Sequence, residues 1–449
     1  MKVVKFGGSS VANAVQLEKV LDIVKSDEKR KIVIVSAPGK VTEADIKVTD
    51  LLIEYYDLYE SEQDTTEIIE KIIQRYASMV EELQIEKSVL EDIATSIKGL
   101  ATLERGDNPY LRDTFLSAGE DNSAKLIAVF FQSRGVKSRY ISPKEAGLIV
   151  TSEPSNARVL ESSYANLAKL KNFEEVLVIP GFFGVTETGN VCTFSRGGSD
   201  VTGSILAAGV EAELYENFTD VDGIFAAHPG VVHEPMSIQE LTYKEMRELA
   251  YAGFTVIHDE ALFPVYQAKI PVVIKNTNNP THAGTKILAS RTEKELAVVG
   301  IAGDDGFASL NISKYLMNRE LGFGRKVLEI LEKFDISFEH MPSGIDDISV
   351  IMRERYLTEE KEQLILEEIK KVLAPDEIYF EHNLSILMIV GEGMREKIGV
   401  TAKGTTALSK RGINLELINQ GSSEVSVMFG IKSDKEKAAI RALYETYFN

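Results

Sequence analysis

Apolar and polar positions along the chain follow two patterns, which change near residue 290. Before that point, short apolar runs alternate with longer stretches in which apolar residues recur at helical spacing. The runs are typical of parallel strands and the stretches of amphipathic helices. We therefore predict an α/β fold with a mostly parallel central sheet and helices on both faces, a three-layer arrangement. The predicted strands are 3–6, 31–36, 138–141, 176–180, 190–194, 213–217 and 271–275.

The C-terminal part contains an internal repeat. The segment 331–350 (LEKFDISFEHMPSGIDDISV) returns as 408–427 (LSKRGINLELINQGSSEVSV), at a constant offset of 77 residues. Ile336 thus corresponds to Ile413, and Ser349 to Ser426. A repeat of this length indicates a duplicated structural unit. Each copy reads strand, helix, strand, strand, helix, which predicts two ferredoxin-like units.

The second copy is one strand short, because it stops at the helical stretch 434–448. An open sheet edge needs a partner strand, and the apolar run 296–301 (LAVVGI) stands unpaired before the first copy. We therefore predict that the first unit is inserted in the second. The predicted domains are 1–294, then 306–382, then 295–302 together with 385–449.

Composition narrows the class of protein. With 449 residues and 44% apolar content, two or three domains are expected. The net charge of −19 disfavours binding to nucleic acid or to an anionic membrane. The single cysteine, Cys192, lies in an apolar run and is predicted to be a core residue. Because the first residues lead directly into a strand, we expect no signal peptide and a soluble, cytoplasmic protein.

The first candidate site is the segment 5–10 (KFGGSS), which follows a strand and precedes a helical pattern at 11–26. Paired glycines let a polyphosphate approach the backbone, a helix N-terminus offers free amides, and Lys5 adds a cation. The segment is not a Walker A loop, because the Gly-Lys-Ser/Thr ending is absent. Taken alone, a tight turn with a helix cap explains it equally well.

Two further segments strengthen this interpretation. The segment 193–200 (TFSRGGSD) precedes an apolar helical stretch, and a turn by itself needs neither Arg196 nor Asp200. The segment 217–224 (NFTDVDGI) places polar residues at the C-terminal end of a strand, where open α/β sheets bind ligands. Together the segments favour a phosphate-binding site over packing.

The motifs KFGGSS, FSRGGSD and FTDVDGI, in this order and spacing, resemble those of the aspartate kinases, members of the amino acid kinase superfamily with a C-terminal pair of ACT domains. The resemblance extends along essentially the whole chain. It implies ATP-dependent phosphorylation of the side-chain carboxylate of L-aspartate to 4-phospho-L-aspartate, the first step toward lysine, threonine and methionine. It also implies feedback regulation by an end-product amino acid.

The resemblance assigns roles to residues in the first domain. Lys5 is similar to the catalytic lysine that stabilises the transferring phosphoryl group, and Asp200 to the second catalytic residue, which organises the lysine and the nucleotide. The implied ATP-binding residues are Lys5, Gly7, Gly8, Ser9, Thr219, Asp220, Phe225, Thr255 and Val256. The implied substrate-binding residues are Ser36, Thr49, Glu120, Arg196, Gly197, Gly198 and Ser199.

Some of these assignments have alternatives. Glu120 is implied to bind the substrate α-ammonium group, although by itself it reads as a solvated helix residue. Arg196 is implied to pair with a substrate carboxylate, where a bidentate contact also gives orientation. Thr42 competes with Thr49, because the intervening loop has no fixed length. His258 is interpreted as a hydrogen-bonded structural residue.

The chain also departs from the family pattern near the nucleotide. Phe225 stands where a Tyr is common, His228 where an Asp is common, Gly230 where an Arg is common, and Thr255 where a Lys is common. These departures change the adenine and ribose contacts and leave the phosphate site intact. No acidic cluster has metal-ligand spacing, so we expect Mg²⁺ to arrive on the ATP phosphates, without a protein metal site.

In the regulatory part, the resemblance places an amino-acid effector where the loop of one ACT unit meets a strand. Lysine is the leading effector, and threonine or a joint response is the alternative. Glu339 suits an effector amino group and equally suits an exposed strand position. The two-fold pairing usual for such units implies a homodimer, or a dimer of dimers. The implied effector residues are Met317, Phe323, Gly324, Ser337, Phe338 and Glu339.

Two other functions remain open from the sequence. One is a kinase of the same fold that acts on glutamate or N-acetylglutamate, and the duplicated C-terminal unit argues against it. The other is a non-catalytic amino-acid sensor. The joint presence of Lys5, Glu120, Arg196 and Asp200 argues against that reading.

Overall fold

The computed structural model describes residues 1–195, 197–254, 256–257, 259–291 and 296–449. The chain divides into two compact units. The first comprises Met1–Ile224, Ser237–Met246 and the described part of Thr255–Arg291, and the second comprises Phe225–Met236, Arg247–Phe254 and the described part of Thr292–Asn449. Two short segments of the predicted first domain thus group with the C-terminal part. The domain boundaries themselves stay a prediction.

The strands and helices are numbered here in chain order. The strands are β1 (Lys2–Phe6), β2 (Arg30–Val35), β3 (Ser138–Tyr140), β4 (Ile149–Val150), β5 (Val176–Pro180), β6 (Phe183–Thr186), β7 (Val191–Thr193), β8 (Leu214–Thr219), β9 (Ile224–Phe225), β10 (Ser237–Ile238), β11 (Glu240–Thr242), β12 (Val272–Asn276), β13 (Thr285–Leu288), β14 (Gly300–Ser313), β15 (Phe338–His340), β16 (Asp347–Arg353), β17 (Glu377–Val390), β18 (Leu417–Asn419) and β19 (Ser426–Lys432). The α-helices are α1 (Ala14–Lys25), α2 (Val48–Glu60), α3 (Thr66–Leu83), α4 (Ser88–Leu100), α5 (Leu111–Ser133), α6 (Pro143–Ala146), α7 (Ser162–Leu167), α8 (Gly198–Gly209), α9 (Tyr243–Tyr251), α10 (Phe263–Ala268), α11 (Phe323–Lys333), α12 (Glu359–Leu373), α13 (Val400–Lys410) and α14 (Glu436–Phe448).

The first unit is built on an eight-stranded sheet with the order β11-β13-β12-β8-β1-β2-β5-β3. β1 lies near the middle and pairs in parallel with β2 and β8, whereas β13 runs antiparallel to β12. Val3 and Val4 point to opposite faces of the sheet, and both are 0% exposed. Both faces are therefore covered. The predicted α/β fold with a mostly parallel sheet is confirmed.

The predicted strand 190–194 lies outside this sheet. It forms β7, which pairs antiparallel with β6 in a separate three-stranded sheet. Cys192 is completely buried there, and its thiol donates a hydrogen bond to the Glu153 carbonyl at 3.0 Å. Burial raises the pKa of Cys192 to about 11, so the thiol stays neutral at physiological pH. The residue is a core position, as the sequence predicted.

A buried ion pair links β2 and β8, the two strands that flank β1. Arg30 donates from Nε and Nη2 to the two carboxylate oxygens of Glu216, at 2.6 and 2.8 Å. The two residues are only 8% and 3% exposed. Their charges have lost most of their water, so each depends on the other.

Arg30→Ala is therefore expected to lower the free energy of unfolding by about 3–5 kcal/mol, because it leaves Glu216 buried without its main partner. The matched control is Lys29→Ala, which breaks the neighbouring, exposed pair with Glu213 and is expected to cost less than about 1 kcal/mol. Urea unfolding of the three proteins measures the difference. Equal losses in both variants would contradict this interpretation.

The second unit contains a six-stranded antiparallel sheet with the order β15-β16-β14-β17-β19-β18. Its two central strands, β14 and β17, are 14 residues each and run through both copies of the repeat. Residues Gly300–Asp304 pair with Ile386–Val390 of the second copy, and Phe307–Ser313 pair with β16 of the first. The two copies thus share one continuous sheet. The sequence predicted two ferredoxin-like units and did not predict that their sheets join.

The repeat is visible in the backbone of the second unit. Gly322 and Gly399 lie 77 residues apart and both adopt positive φ, 73° and 86°, just before α11 and α13. Met317 and Met394 occupy equivalent places and are each 6% exposed. Each copy therefore repeats the same loop and helix start. None of the helices in the described part of the chain combines the length and apolar character that a membrane span requires.

Candidate active site

The first glycine junction turns sharply at the end of β1. Gly7 donates its N–H to the Phe218 carbonyl at 3.1 Å, and Gly8–Val11 form a short 3-10 turn. The helix α1 begins only after Asn13, whose side chain accepts a hydrogen bond from the Gln16 N–H at 2.9 Å. The predicted helix start at residue 11 is therefore wrong. The amides that follow the glycines belong to the 3-10 turn.

A third glycine, which the sequence did not single out, supports this loop. The Gly39 N–H donates to the Gly8 carbonyl at 2.9 Å. A Cβ atom at Gly39 would lie 2.6 Å from the carbonyl carbon of Gly8 and 2.9 Å from the nitrogen of Ser9. Only glycine fits at position 39, so the loop after β2 packs directly against the candidate phosphate-binding segment 5–10. Its sequence signal, a Pro-Gly turn after a buried strand, is too common to have identified it.

The second glycine junction begins α8. Gly197 adopts φ 59° as the N-cap, and the Asp200 N–H donates back to its carbonyl at 2.8 Å. Gly181 of a neighbouring loop lies so close that a Cβ atom there would sit 2.6 Å from the Ser199 hydroxyl. Ser36 donates to the same hydroxyl at 2.9 Å. The ends of β2 and β5 thus meet the start of α8.

The two glycine junctions meet at an ion pair. The Lys5 ammonium lies 2.6 Å from Oδ1 of Asp200, although 195 positions separate the residues in sequence. Both residues are 8% exposed. The convergence that an enzyme site requires is therefore present. Asn217 contacts both side chains and was missed as an individual residue, because only the strand-end position marked it.

Glu120 lies nearby, on α5, and is buried rather than solvated. It is 5% exposed, and its Oε2 atom lacks a hydrogen-bond partner in the described part of the chain. Burial raises the pKa of Glu120 to about 8, against the smaller lowering effect of a hydrogen bond from the Ala37 main chain. Through Ala37, this carboxyl group contacts the loop after β2, the loop that begins with Ser36. An unpaired buried carboxyl oxygen suits a cationic ligand.

The remaining predicted residues are spread more widely. Thr219 ends β8 and donates to Asp220 at 3.2 Å, and Asp220 is exposed. Thr49 is half-buried in the first turn of α2, and Val256 is half-buried in a bend. Phe225 groups with the second unit. Three predicted residues lie outside the described part of the chain: Arg196, Thr255 and His258.

The predicted effector residues surround the first ACT loop within the second unit. Met317 and Phe323 are buried in its apolar core, and Gly324 lies in the first turn of α11. Ser337 and Phe338 are exposed, and β15 begins at Phe338, so Ser337 precedes the strand. Their role in effector binding stays a prediction.

Glu339 already has partners in this structure. Its Oε1 lies 3.4 Å from Nε of Arg353, and the Tyr251 hydroxyl donates to Oε2. Arg353 in turn pairs with Asp304 at 2.7 Å and lies over the ring of Phe307 at 4.0 Å. An effector amino group at Glu339 would therefore have to compete with Arg353 and Tyr251.

Comparison with known proteins identifies the class. Residues 1–276 match the model of the amino acid kinase family, and residues 387–447 match that of the ACT domain. The first match covers more than half of the chain. The chain therefore belongs to the amino acid kinase family.

Within that family the similar proteins are aspartate kinases. Aspartokinase 3 of Bacillus subtilis is 51% identical over 448 residues, which cover 100% of this chain and 99% of that protein. The solved aspartate kinase of Clostridium acetobutylicum, described as an allosteric enzyme, is 39% identical with a TM-score of 0.86, and both chains are covered fully. Escherichia coli aspartokinase III, solved with aspartate and ADP, shares the fold at 24% identity, a TM-score of 0.80 and full coverage of both chains. The predicted family, an aspartate kinase with a C-terminal ACT domain, is confirmed.

Proposed function

We propose that this protein transfers the γ-phosphoryl group of ATP to the side-chain carboxylate of L-aspartate and forms 4-phospho-L-aspartate. One observation carries the proposal. The Lys5–Asp200 ion pair, at 2.6 Å, joins two glycine junctions in a chain 51% identical over its full length to an aspartokinase. A cation held beside backbone amides is what a transferring phosphoryl group requires.

The reaction requires little covalent catalysis by the protein. The acceptor carboxylate is ionised at neutral pH, so no general base has to remove a proton. Lys5 neutralises charge on the transferring group, and the backbone around Gly7 and Gly8 gives phosphate oxygens close access. Asp200 holds the lysine in place, since it is the partner at 2.6 Å. Positioning and charge neutralisation are then the main sources of rate enhancement.

The amino-acid substrate is proposed to lie between the Ser36–Ser199 corner and Glu120. The unpaired Oε2 of Glu120 supports this position, because the α-ammonium group of aspartate would supply the missing partner. Ionisation of Glu120 would accompany binding, since a carboxylate holds an ammonium group far better than a neutral carboxyl does. Arg196 and Thr49 remain proposed contacts for the substrate.

Magnesium fits the proposal as part of the nucleotide. Asp200, the carboxylate at the second glycine junction, is already paired with Lys5, so it needs no metal ion to balance its charge. Mg²⁺ prefers oxygen ligands and keeps several waters when it binds through phosphates. When bound, it neutralises charge on the phosphate oxygens. The residues of this chain hold and orient the phosphates and the acceptor.

A trapping assay tests the proposed substrate. The purified protein is incubated with MgATP, hydroxylamine and one of three substrates: L-aspartate, L-glutamate or N-acetyl-L-glutamate. An acyl phosphate is converted to a hydroxamate, which is read by colour with ferric ion. We expect hydroxamate with aspartate. If product forms only with glutamate or its N-acetyl form, that compound replaces aspartate as the proposed substrate. If none of the three gives product, the result supports a non-catalytic amino-acid sensor.

Regulation by an amino acid is part of the same proposal. The ACT match and the allosteric description of the Clostridium enzyme support it, and lysine is the leading effector. A homodimer, or a dimer of dimers, is proposed as the assembly that completes the effector site. Titration of the aspartate-dependent activity with lysine and threonine, separately and together, is expected to show a response to lysine. Unchanged activity in all three titrations would contradict this part.

A further inference from the structure

We propose that Asn217 is a positioning residue that holds Lys5 and Asp200 in a single arrangement. The inference rests on the proposed function. Asn217 is 2% exposed and lies in β8. Its side-chain Nδ2 donates to Oδ1 of Asp200 at 2.8 Å, and its Oδ1 accepts from the Lys5 ammonium at 3.4 Å. One amide thus contacts both members of the ion pair.

The register of the sheet places this amide. β1 and β8 are parallel neighbours in which Lys5 and Asn217 are direct partners, so their side chains lie side by side on one face. Glu216, the preceding residue, points to the opposite face, toward Arg30. A polar side chain at 217 therefore reaches the catalytic lysine without any change in the backbone.

An amide is suited to this place because it has a donor and an acceptor fixed in one plane. In the observed orientation the carbonyl oxygen faces the ammonium group and the NH₂ group faces the carboxylate. The flipped orientation would turn the donor toward Lys5 and the acceptor toward Asp200. Both contacts would then be repulsive, so the two charges and the amide fix each other.

A second residue of β8 supports the same turn from the same face. The Tyr215 hydroxyl donates to the main-chain carbonyl of Asp200 at 3.2 Å. Gly203 of α8 lies against the tyrosine, because a Cβ atom there would come 2.4 Å from the hydroxyl oxygen. Tyr215 thus holds the backbone of Asp200, whereas Asn217 holds its carboxylate.

The consequence for catalysis concerns kcat. The ammonium group has three protons, of which Asp200 and Asn217 occupy two, so the third has a defined direction toward a phosphoryl oxygen. Loss of the amide leaves the ion pair intact but free to change its angle. Displacement of a catalytic group by about 1 Å can cost about 100-fold in rate. Affinity for aspartate, which is proposed to involve Glu120, does not depend on this amide.

The test compares Asn217→Leu, Asn217→Ser and Asn190→Leu in the hydroxamate assay with aspartate. Leu keeps the size of the side chain, and Ser removes the amide without bringing an aliphatic group near the charges. We expect kcat to fall about 10- to 100-fold in both Asn217 variants, with KM values for ATP and aspartate within about threefold of wild type. Asn190→Leu, the control, replaces an exposed asparagine in the turn between β6 and β7 and is expected to keep kcat within about threefold of wild type.

Other outcomes overturn the inference. An Asn217 variant that folds, by its thermal transition, and keeps kcat within twofold of wild type shows that the amide does not position the pair. So does a loss seen only in KM, or an equal loss of kcat in Asn190→Leu. An inactive wild-type protein contradicts the proposed function, and this inference with it. An active wild type with active Asn217 variants contradicts this inference alone.

Discussion

Replacement of Lys5 by alanine is expected to lower kcat by about 1,000-fold while the fold stays intact. Lys5 supplies the buried cation at the point where the two glycine junctions meet, 2.6 Å from Asp200. Removal of one preorganised group that stabilises transition-state charge typically costs about 100- to 1,000-fold, and a full charge lies at the upper end. The effect should appear in kcat more than in the KM for aspartate.

The control for Lys5→Ala is Lys2→Ala, on the same strand. Lys2 pairs with Asp27 at 2.7 Å and is partly exposed, and it lies at the opposite end of β1. We expect this variant to keep kcat within about twofold of wild type, since exposed pairs contribute little. Circular dichroism checks that both variants fold. A Lys5→Ala protein with near-normal turnover would remove lysine from the phosphoryl-stabilising role.

Replacement of Glu120 by glutamine is expected to weaken aspartate binding by about 30- to 100-fold, which corresponds to about 2–3 kcal/mol for a charge-assisted hydrogen bond. In the free wild-type protein the pKa of Glu120 is raised to about 8, so its carboxyl group is mostly neutral at pH 7. Binding of an ammonium group stabilises the ionised form and should release close to one proton per site. Calorimetry in buffers of different ionisation enthalpy measures that proton.

The raised pKa of Glu120 also sets the direction in which the affinity for aspartate depends on pH. Below pH 8, ionisation of Glu120 must accompany binding, so the apparent Kd for aspartate should rise as the pH falls from 8 to 6, at most about tenfold per pH unit. Glu120→Gln should bind weakly with a flat profile over the same range. The control is Asp121→Asn, the next residue, whose carboxylate faces Lys125 and Tyr140. A wild-type Kd that is unchanged between pH 6 and 8 would exclude Glu120 as the ammonium ligand.

The same pKa affects stability. The carboxyl group of Glu120 is neutral in the folded chain up to about pH 8, whereas in the unfolded chain it ionises near its ordinary value. The folded state therefore binds more protons between these two pKa values, and stability falls as the pH rises through this window. A substrate ammonium group offsets the cost of a buried charge. The site thus keeps a buried carboxyl group that lowers stability at higher pH, because this group is proposed to bind the substrate.

Much of the architecture could be predicted from the sequence, because it depends on local signals. Apolar runs marked six of the eight strands of the main sheet, and the paired glycines marked both junctions. That the junctions of Lys5 and Asp200 would meet was implied by the resemblance to the aspartate kinases and not by strand order, because β7, which leads to Asp200, lies outside the main sheet. The constant offset of 77 residues likewise revealed the duplication.

What the sequence did not predict depends on partners distant in the chain. Asn217 reads as an ordinary strand residue until the register places it beside Lys5. Gly39 is one of many turn glycines until its contact with Gly8 is known. Taken alone, Glu120 was interpreted as a solvated helix residue. Its burial results from the packing of α5 in the folded chain, which the local sequence does not show.

The start of α1 was misplaced for another reason. The apolar spacing of the segment continues back to residue 11, but the side chain of Asn13 begins the helix later by accepting from the Gln16 N–H. The hydrogen bond of the Asn13 cap outweighs the weak helical preference of the single turn before it. The joined sheet of the ACT region was missed because it depends on β14 and β17 continuing to pair beyond Gly300–Asp304, where Phe307–Ser313 lie opposite Glu377–Leu384.

The central claim is that the joined glycine junctions transfer a phosphoryl group to the side-chain carboxylate of aspartate. It is tested most directly by the position of the trapped acyl group. Wild-type protein is incubated with MgATP, hydroxylamine and L-aspartate labelled with ¹³C at both carboxyl carbons, and the product is examined by NMR. We predict a hydroxamate at the side-chain carbon, absent with Lys5→Ala. A hydroxamate at the α-carboxyl carbon, or none with folded wild-type protein, would contradict the account.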